Sequence, residues 1–168
     1  NYYNDNGSHP GNLTVFKDQL YFTTEQGMLY KTDGTAAGTT IVDAWDYSRI
    51  TNLNVAGDYL YYYKGGDGQL YRTNGTTLTN ISMPVEPADI YFNSVYTAGG
   101  TLYLLNARSY FQKIKLYARA ADGSAWTLLK ESEAPTYGDQ KLDHFTAVGN
   151  KLFFSFRINL SDGIDTDN

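Results

Sequence analysis

Four acidic residues in the second half of the chain could supply the two carboxyl groups that glycoside hydrolysis requires: Glu131, Glu133, Asp139 and Asp143. That chemistry needs two carboxyl groups roughly 5 to 9 Å apart, on either side of the substrate. The sequence spacing does not fix such a distance, and acidic residues in a polar segment are typical of a solvated loop. Polysaccharide hydrolysis is therefore a hypothesis that the sequence permits but does not favour.

Histidine offers little more to catalysis, since the chain contains only His9 and His144. His144 follows Asp143 in a segment predicted to be a strand, where adjacent side chains point to opposite faces, so we expect no catalytic dyad. The nucleophile pattern Gly-x-Ser-x-Gly and the zinc pattern His-Glu-x-x-His are both absent from the sequence. We therefore predict no catalytic residues and a protein that is not an enzyme.

Two oxygen-rich segments could bind a hard cation. Asp162, Asp165, Asp167 and Asn168 alternate partly like a calcium-binding loop, and residues 4–7 have a similar composition. Neither segment completes the pattern Asp-x-Asp-x-Asp-Gly, so we expect polar loops and no cofactor, with Ca²⁺ as the alternative. Cysteine is absent, which removes disulfides and thiolate metal sites.

Composition and charge narrow the class of protein. The 168 residues suit one domain, and the 16 tyrosines favour β structure. The formal net charge of -5 argues against nucleic acid as a partner, and no apolar run is long enough to span a bilayer. The chain begins at Asn1 without a signal-peptide pattern, so we expect a processed product, a single domain or a part of a longer chain.

Short apolar hairpins recur along the chain at intervals of about 40 residues. Leu20-Tyr21-Phe22 returns as Leu60-Tyr61-Tyr62, as Leu102-Tyr103-Leu104 and as Leu152-Phe153-Phe154. Each of the first three copies continues through a second hairpin and closes with a β-prone run. The pattern predicts four-stranded antiparallel units at about 12–43, 51–82, 90–130 and 143–168, with the fourth incomplete.

A four-stranded unit of this size is typical of a β-propeller blade, because stacking neighbouring blades covers faces that one sheet leaves exposed. Residues 29–39, Leu-Tyr-Lys-Thr-Asp-Gly-Thr-Ala-Ala-Gly-Thr, resemble the LW-x-x-DGT-x-x-GT repeat of large bacterial surface proteins. The segment Asp18-Gln19-Leu20-Tyr21-Phe22 and the pairs around Leu60 and Leu70 are similar to extracellular propellers of the YWTD type. The resemblance implies an all-β, secreted or cell-surface propeller, with a structural role for the Asp33-Gly34 turn and no catalytic motif.

Propellers of that kind have six or more blades, whereas this chain supplies about three and a half. We therefore predict a partial or small propeller, treated as a single domain over 1–168. The alternative is an antiparallel meander or sandwich.

In a propeller blade, the loop after the second strand and the loop between blades share one face. Aromatic and arginine side chains in those loops are the usual anchors of protein contacts, and flat aromatic rings also suit sugars. The predicted ligand-binding residues are Trp45, Tyr47, Arg49, Arg108, Tyr110, Phe111 and Tyr137.

These observations favour a non-catalytic extracellular module that binds a protein or glycan ligand through its loop face. A structural surface subunit, self-associating through open blade edges by strand exchange, is the alternative. A polysaccharide-active enzyme is the third hypothesis.

Overall fold

The computed structural model describes residues 9–44, 50–65, 68–84, 93–106, 113–123, 125–132 and 139–159, with the backbone alone at 93, 139–143 and 156–159. The chain divides into two compact units, unit 1 at Asn1–Met83 and unit 2 at Pro84–Asn168. Every regular element in the described segments is a β-strand, and every pairing is antiparallel between strands that are consecutive in the chain.

Unit 1 contains two four-stranded sheets. Sheet 1 consists of β1 (Gly11–Phe16), β2 (Gln19–Thr23), β3 (Leu29–Thr32) and β4 (Thr40–Asp43). Sheet 2 consists of β5 (Ile50–Ala56), β6 (Tyr59–Lys64), β7 (Gln69–Thr73) and β8 (Leu78–Ile81). The two sheets repeat one plan, since each is a meander of four short strands.

Unit 2 contains one complete sheet and one hairpin. Sheet 3 consists of β9 (Asn93–Ala98), β10 (Thr101–Asn106), β11 (Lys115–Ala120) and β12 (Thr127–Glu131). Sheet 4 pairs β13 (Asp139–Val148) with β14 (Lys151–Asn159). Three four-stranded sheets and a half sheet are what the repeat predicts, and four-stranded antiparallel blades are confirmed.

Tight turns close the hairpins at the positions where the sequence places Asp-Gly and Asn-Gly. Gly34 and Gly75 have φ values of +94° and +98°, which residues with a Cβ rarely adopt. The Asp33 carboxylate accepts hydrogen bonds from the amide and the hydroxyl of Thr35, at 2.9 and 2.8 Å. The predicted structural role of the Asp33-Gly34 turn matches this geometry.

Unit 1 has its core between its two sheets. Antiparallel register puts opposite residues on one face, so Phe16, Tyr21 and Leu29 share the side of sheet 1 that faces sheet 2. They pack against Leu60 and Tyr62 of sheet 2, and β1 lies beside β5. Tyr21 is fully buried, and burial raises the pKa of its phenol.

Unit 2 joins its sheets through aromatic rings. Tyr96 of β9 stacks on Phe145 of β13 with ring centroids 3.9 Å apart, and Phe145 contacts Phe154 of β14 at 5.6 Å. Burial raises the pKa of Tyr96, against a smaller lowering by its hydrogen bond with Ser94. The turns meet as well, because a Cβ on Gly99 would overlap Asn150. Within each unit, the first strand of one sheet therefore lies beside the first strand of the other, β1 beside β5 in unit 1 and β9 beside β13 in unit 2.

The first strands of sheets 1, 2 and 4 share a β-bulge at one repeat position. Asn12, Asn52 and His144 each stand eight residues before the leucine at the second position of the second strand, and their φ values are +50°, +57° and +55°. The register shifts at each of these places, whereas β9 pairs with β10 without interruption. Asparagine tolerates left-handed backbone better than most residues, which explains its use at two of the three positions.

Candidate interaction surface

The seven predicted ligand-binding residues all lie outside the described residues: Trp45, Tyr47, Arg49, Arg108, Tyr110, Phe111 and Tyr137. The structure does describe the strands on both sides of each segment. Residues 45–49 follow β4 and precede β5, residues 107–112 lie between β10 and β11, and residues 133–138 lie between β12 and β13.

The topology assigns these three segments to one end of their sheets. In an antiparallel meander, the connections after the second and the fourth strands leave from the same end, and those after the first and third leave from the other. The tight turns at Lys17-Asp18 and Asp33-Gly34 of sheet 1, and their counterparts in sheets 2 and 3, occupy that other end. In each sheet, the connectivity therefore places these loops at the end opposite the tight turns, in agreement with the prediction. Their role in binding stays a prediction.

A buried polar cluster fixes the base of the segment that carries Trp45, Tyr47 and Arg49. The Tyr62 hydroxyl donates to Oδ2 of Asp43 at 2.6 Å, and Nζ of Lys64 lies 3.3 Å from Oδ1 of the same carboxylate. The side chains of Lys64 and Asp43 are only 7% and 10% exposed. The ammonium of Lys64 also lies 5.2 Å from the centre of the Tyr71 ring. Asp43 is the last residue of β4, so the cluster holds the start of the loop against sheet 2.

Sequence reasoning missed this cluster. The available signal was Lys64, a charged residue that ends a run of three tyrosines on β6. Buried charges in proteins are paired, so a lysine at that position predicts an acidic partner. The identity of that partner depends on packing between two sheets, which the sequence pattern does not specify.

A second polar contact fixes the bases of the other two segments to each other. The Ser132 amide donates to the Ile114 carbonyl at 2.9 Å, and the Ile114 amide donates to Oγ of Ser132 at 2.8 Å. Ile114 is the second described residue after 107–112, and Ser132 directly precedes 133–138. A residue just after the segment with Arg108, Tyr110 and Phe111 is therefore hydrogen-bonded to the residue that precedes the segment with Tyr137.

The acidic residues considered for hydrolysis divide into two groups. Glu131 is described, and its carboxylate lies 3.7 Å from Nζ of Lys113 and 4.0 Å from Nζ of Lys115. This arrangement is a solvated cluster of charges. Glu133 and the side chains of Asp139 and Asp143 lie outside the described residues.

His144 pairs with Ser155, and the repeat explains the contact. Nδ1 of His144 lies 3.0 Å from Oγ of Ser155, a pairing that also occurs in nucleophilic sites. At the same repeat positions in sheet 1, Nδ2 of Asn12 donates to Oγ1 of Thr23 at 2.9 Å. Two different polar pairs thus bridge the first and second strands at the bulge, so we assign both contacts to the bulge.

The metal and membrane predictions can be compared with the described segments. In those segments no three His, Asp or Glu side chains come together as metal ligands. The candidate calcium segments at 4–7 and 162–168 lie outside them. No helix in the described part of the chain is long and apolar enough to cross a membrane.

Comparison with known proteins identifies the fold. The N-terminal domain of Nup159, a β-propeller, matches the chain with a TM-score of 0.56 and 12% sequence identity. The match covers 90% of this chain and 40% of that one. No protein-family model matches the chain, and no curated protein matches it in sequence. Membership of the chain in either of the two repeat families that its sequence resembles therefore stays a prediction.

A sequence identity of 12% supports a shared fold and no shared function. The all-β, propeller-type fold class predicted from the repeat is confirmed by the sheets and by this likeness. The chain has a β-propeller-type fold and spans 40% of the length of the solved domain that it matches.

Proposed function

We propose that the protein is a non-catalytic binding module that holds a protein or glycan ligand at the loop ends of its sheets. The observation that carries this proposal is the anchoring of the loop bases by the Asp43–Tyr62–Lys64 cluster and by the Ile114–Ser132 pair. Binding residues are frequent on loops that a rigid scaffold positions, and the strands that flank these loops are fixed in this way. The residues proposed to contact the ligand are Trp45, Tyr47, Arg49, Arg108, Tyr110, Phe111 and Tyr137.

Location outside the cell or at its surface is the second part of the proposal. It rests on the resemblance of residues 29–39 to the repeats of bacterial surface proteins. Fractionation of the source cells checks it, and recovery of the protein from the cytosol alone would contradict it.

A binding screen with matched variants tests the loop face. Glycan arrays and displayed libraries of protein fragments serve as probes, and the wild-type chain is compared with Trp45→Ala and Tyr110→Ala. We expect a specific ligand from one of the two libraries, bound at least tenfold more weakly by one or both variants, because aromatic residues are frequent hot spots of binding. Phe153→Ala serves as the control, since it removes an exposed aromatic ring from a sheet surface.

Two outcomes would overturn the proposal. One is a ligand whose affinity is unchanged by both loop variants, and the other is the absence of any specific binding in either library. Turnover of a polysaccharide that is lost on Glu131→Gln would instead support the enzymatic hypothesis.

A structural, self-associating subunit is the second candidate function. The observation that favours it is sheet 4, where β14 pairs with β13 and, within the described residues, with no strand on its far edge. Open edges of sheets accept additional strands from other chains.

A further inference from the structure

Sheet 1 exposes an apolar face on the side opposite sheet 2, here called the trailing face. Register places Val15 opposite Leu20, Phe22 opposite Tyr30, and Tyr30 opposite Ile41 on that side. Val15 is 70% exposed and Ile41 is 53% exposed, while the rings of Phe22 and Tyr30 stack at 5.6 Å.

The trailing face contains an open depression of about 410 Å³ at the turn end of the sheet. Its lining combines the apolar residues Val15 and Leu20 with the acidic residues Asp18 and Asp33 of the two turns. An exposed apolar depression with an acidic rim is a common feature of a docking surface.

Sheet 2 shows how the same repeat face is filled. Its equivalent residues include Leu60 and Tyr62, which are fully buried against sheet 1. At its turn end, Nζ of Lys17 and Nζ of Lys31 donate to the carbonyls of Asn74 and Gly75, both at 3.1 Å. The Tyr21 hydroxyl packs against Gly75, where an added Cβ would lie 3.5 Å away. The trailing face of sheet 2 therefore receives an aromatic side chain and cations from the neighbouring sheet.

Sheet 4 carries a face with the complementary character, here called the leading face. Phe153 occupies the repeat position of Tyr21 and is 54% exposed, and Val148 occupies that of Phe16 and is 60% exposed. Register places Lys151 opposite Val148 on this side. The opposite face of sheet 4 packs on Tyr96 through Phe145, so Phe153 and Val148 point away from that contact.

We propose that the leading face of sheet 4 in one copy of the chain docks on the trailing face of sheet 1 in a second copy. Phe153 and Val148 enter the apolar depression, and Lys151 faces Asp18 and Asp33 on its rim. The acidic rim and the lysine are complementary in charge, as expected for an oriented contact. This interface is independent of the loop ends that the proposed function uses.

The proposed contact is heterologous, because one copy offers a different surface from the one it receives. Such contacts produce closed rings when the rotation between copies closes and open chains when it does not. A closed ring covers every leading face and every trailing face. An open chain leaves one leading face and one trailing face uncovered, at its two ends.

Sedimentation velocity over a wide range of protein concentrations tests the inference. We expect the wild-type chain to self-associate, and Val15→Glu and Phe153→Glu each to lower the association constant by about tenfold or more, because each places a charge in an apolar contact. Lys151→Glu is expected to weaken association by several-fold. Added salt should also weaken it, because salt screens the attraction between Lys151 and the acidic residues. Leu128→Glu is the control, since Leu128 is 47% exposed on sheet 3, outside both faces.

Mixing two defective variants distinguishes a heterologous contact from other modes. Val15→Glu retains the leading face and Phe153→Glu retains the trailing face, so an equal mixture should form a one-to-one dimer at concentrations where each variant alone associates at least tenfold more weakly than wild type. All variants alter exposed positions, and circular dichroism confirms their folding.

Three results would overturn the inference: a wild-type chain that stays monomeric, self-association that both glutamate variants leave intact, or a mixture that fails to form the dimer. Trp45→Ala and Tyr110→Ala should leave association unchanged, so failure of this interface and failure of the loop face give different results.

Discussion

The two described contacts between neighbouring sheets use different chemistry. Sheets 1 and 2 enclose an apolar core that has polar contacts at both ends, with Asp43, Tyr62 and Lys64 at the loop end and the lysine–carbonyl bonds at the turn end. In the contact between sheets 3 and 4, the described interactions are the aromatic stack of Tyr96 on Phe145 and the close approach of Gly99 to Asn150.

This difference shows how one repeat can give contacts of different specificity. Apolar burial is nondirectional and supplies most of the free energy of association between sheets. Hydrogen bonds and ion pairs are directional, so the polar contacts of unit 1 specify a register between sheets 1 and 2. Variants that remove one polar or one aromatic element at a time separate these two contributions.

The largest effect is expected from Asp43→Ala. The substitution removes the Asp43 carboxylate from beside the buried Lys64 ammonium, and breaking a buried ion pair costs about 3 to 5 kcal/mol. We expect a fall of that size in the free energy of unfolding, measured by urea denaturation. The double variant Asp43→Leu/Lys64→Met should recover most of the loss, and a cost below about 1 kcal/mol for Asp43→Ala would contradict the assignment.

Phe145→Ala tests the aromatic contact of unit 2. Removing a buried Phe ring costs about 3 to 5 kcal/mol, and Phe145 is only partly buried, so we expect about 2 to 3 kcal/mol in urea denaturation. Phe153→Ala is the matched control on the opposite face of sheet 4 and should cost less than about 1 kcal/mol in the monomer. Equal costs for the two variants would show that the stack on Tyr96 has no special weight.

Two Tyr→Phe variants should change stability in opposite directions. The Tyr21 hydroxyl is buried and has no hydrogen-bond partner in the described part of the chain, so Tyr21→Phe should stabilise unit 1 by about 1 kcal/mol. Tyr62→Phe removes a hydrogen bond to a carboxylate and should destabilise it by about 2 kcal/mol. A shift of the same sign in both thermal unfolding curves would contradict this interpretation.

The smallest effect concerns the response of the Asp33 turn to acid. The Thr35 amide and hydroxyl lower the pKa of Asp33 from its ordinary 3.8. Stability from the ionised form is therefore present above pH 3.8 and lost as the pH falls through the lowered pKa. Asp33→Asn should keep the turn at neutral pH and reduce acid sensitivity below that range.

The control for Asp33→Asn is Asn74→Asp in the equivalent turn of sheet 2. Oδ1 of Asn74 accepts from the amides of Thr76 and Thr77 in the same manner, so the aspartate should introduce a similar acid sensitivity. Unfolding curves at several acidic pH values measure both changes, and identical curves for Asp33→Asn and wild type would contradict the role of the carboxylate.

Local patterns in the sequence predicted the sheets because hairpins are specified locally. Leu29-Tyr30-Lys31 before Asp33-Gly34 contains both the alternation and the turn residues of a hairpin, and the structure pairs those strands through that turn. Asn12 and Asn52 could also have indicated the bulges, since asparagine adopts left-handed backbone more readily than most residues.

Local sequence patterns do not predict the contacts between sheets. Nothing near Asp43 in the sequence indicates a partner 21 residues away on another sheet. The alternation on β2 likewise predicts only that Tyr21 is a half-buried tyrosine. The full burial of its hydroxyl depends on sheet 2, which covers it. The predicted ligand residues stay predictions because they lie outside the described residues.

Lys17 has a left-handed backbone, with φ at +49°, at a turn position that glycine occupies in the other three sheets, as Gly57, Gly99 and Gly149. A lysine there costs about 1 kcal/mol relative to glycine, yet it supplies a bond to the Asn74 carbonyl that glycine cannot make. The copies of this repeat have thus ceased to be interchangeable modules. Shuffling or duplicating them in an engineered array would lose the bond wherever a glycine copy replaced sheet 1.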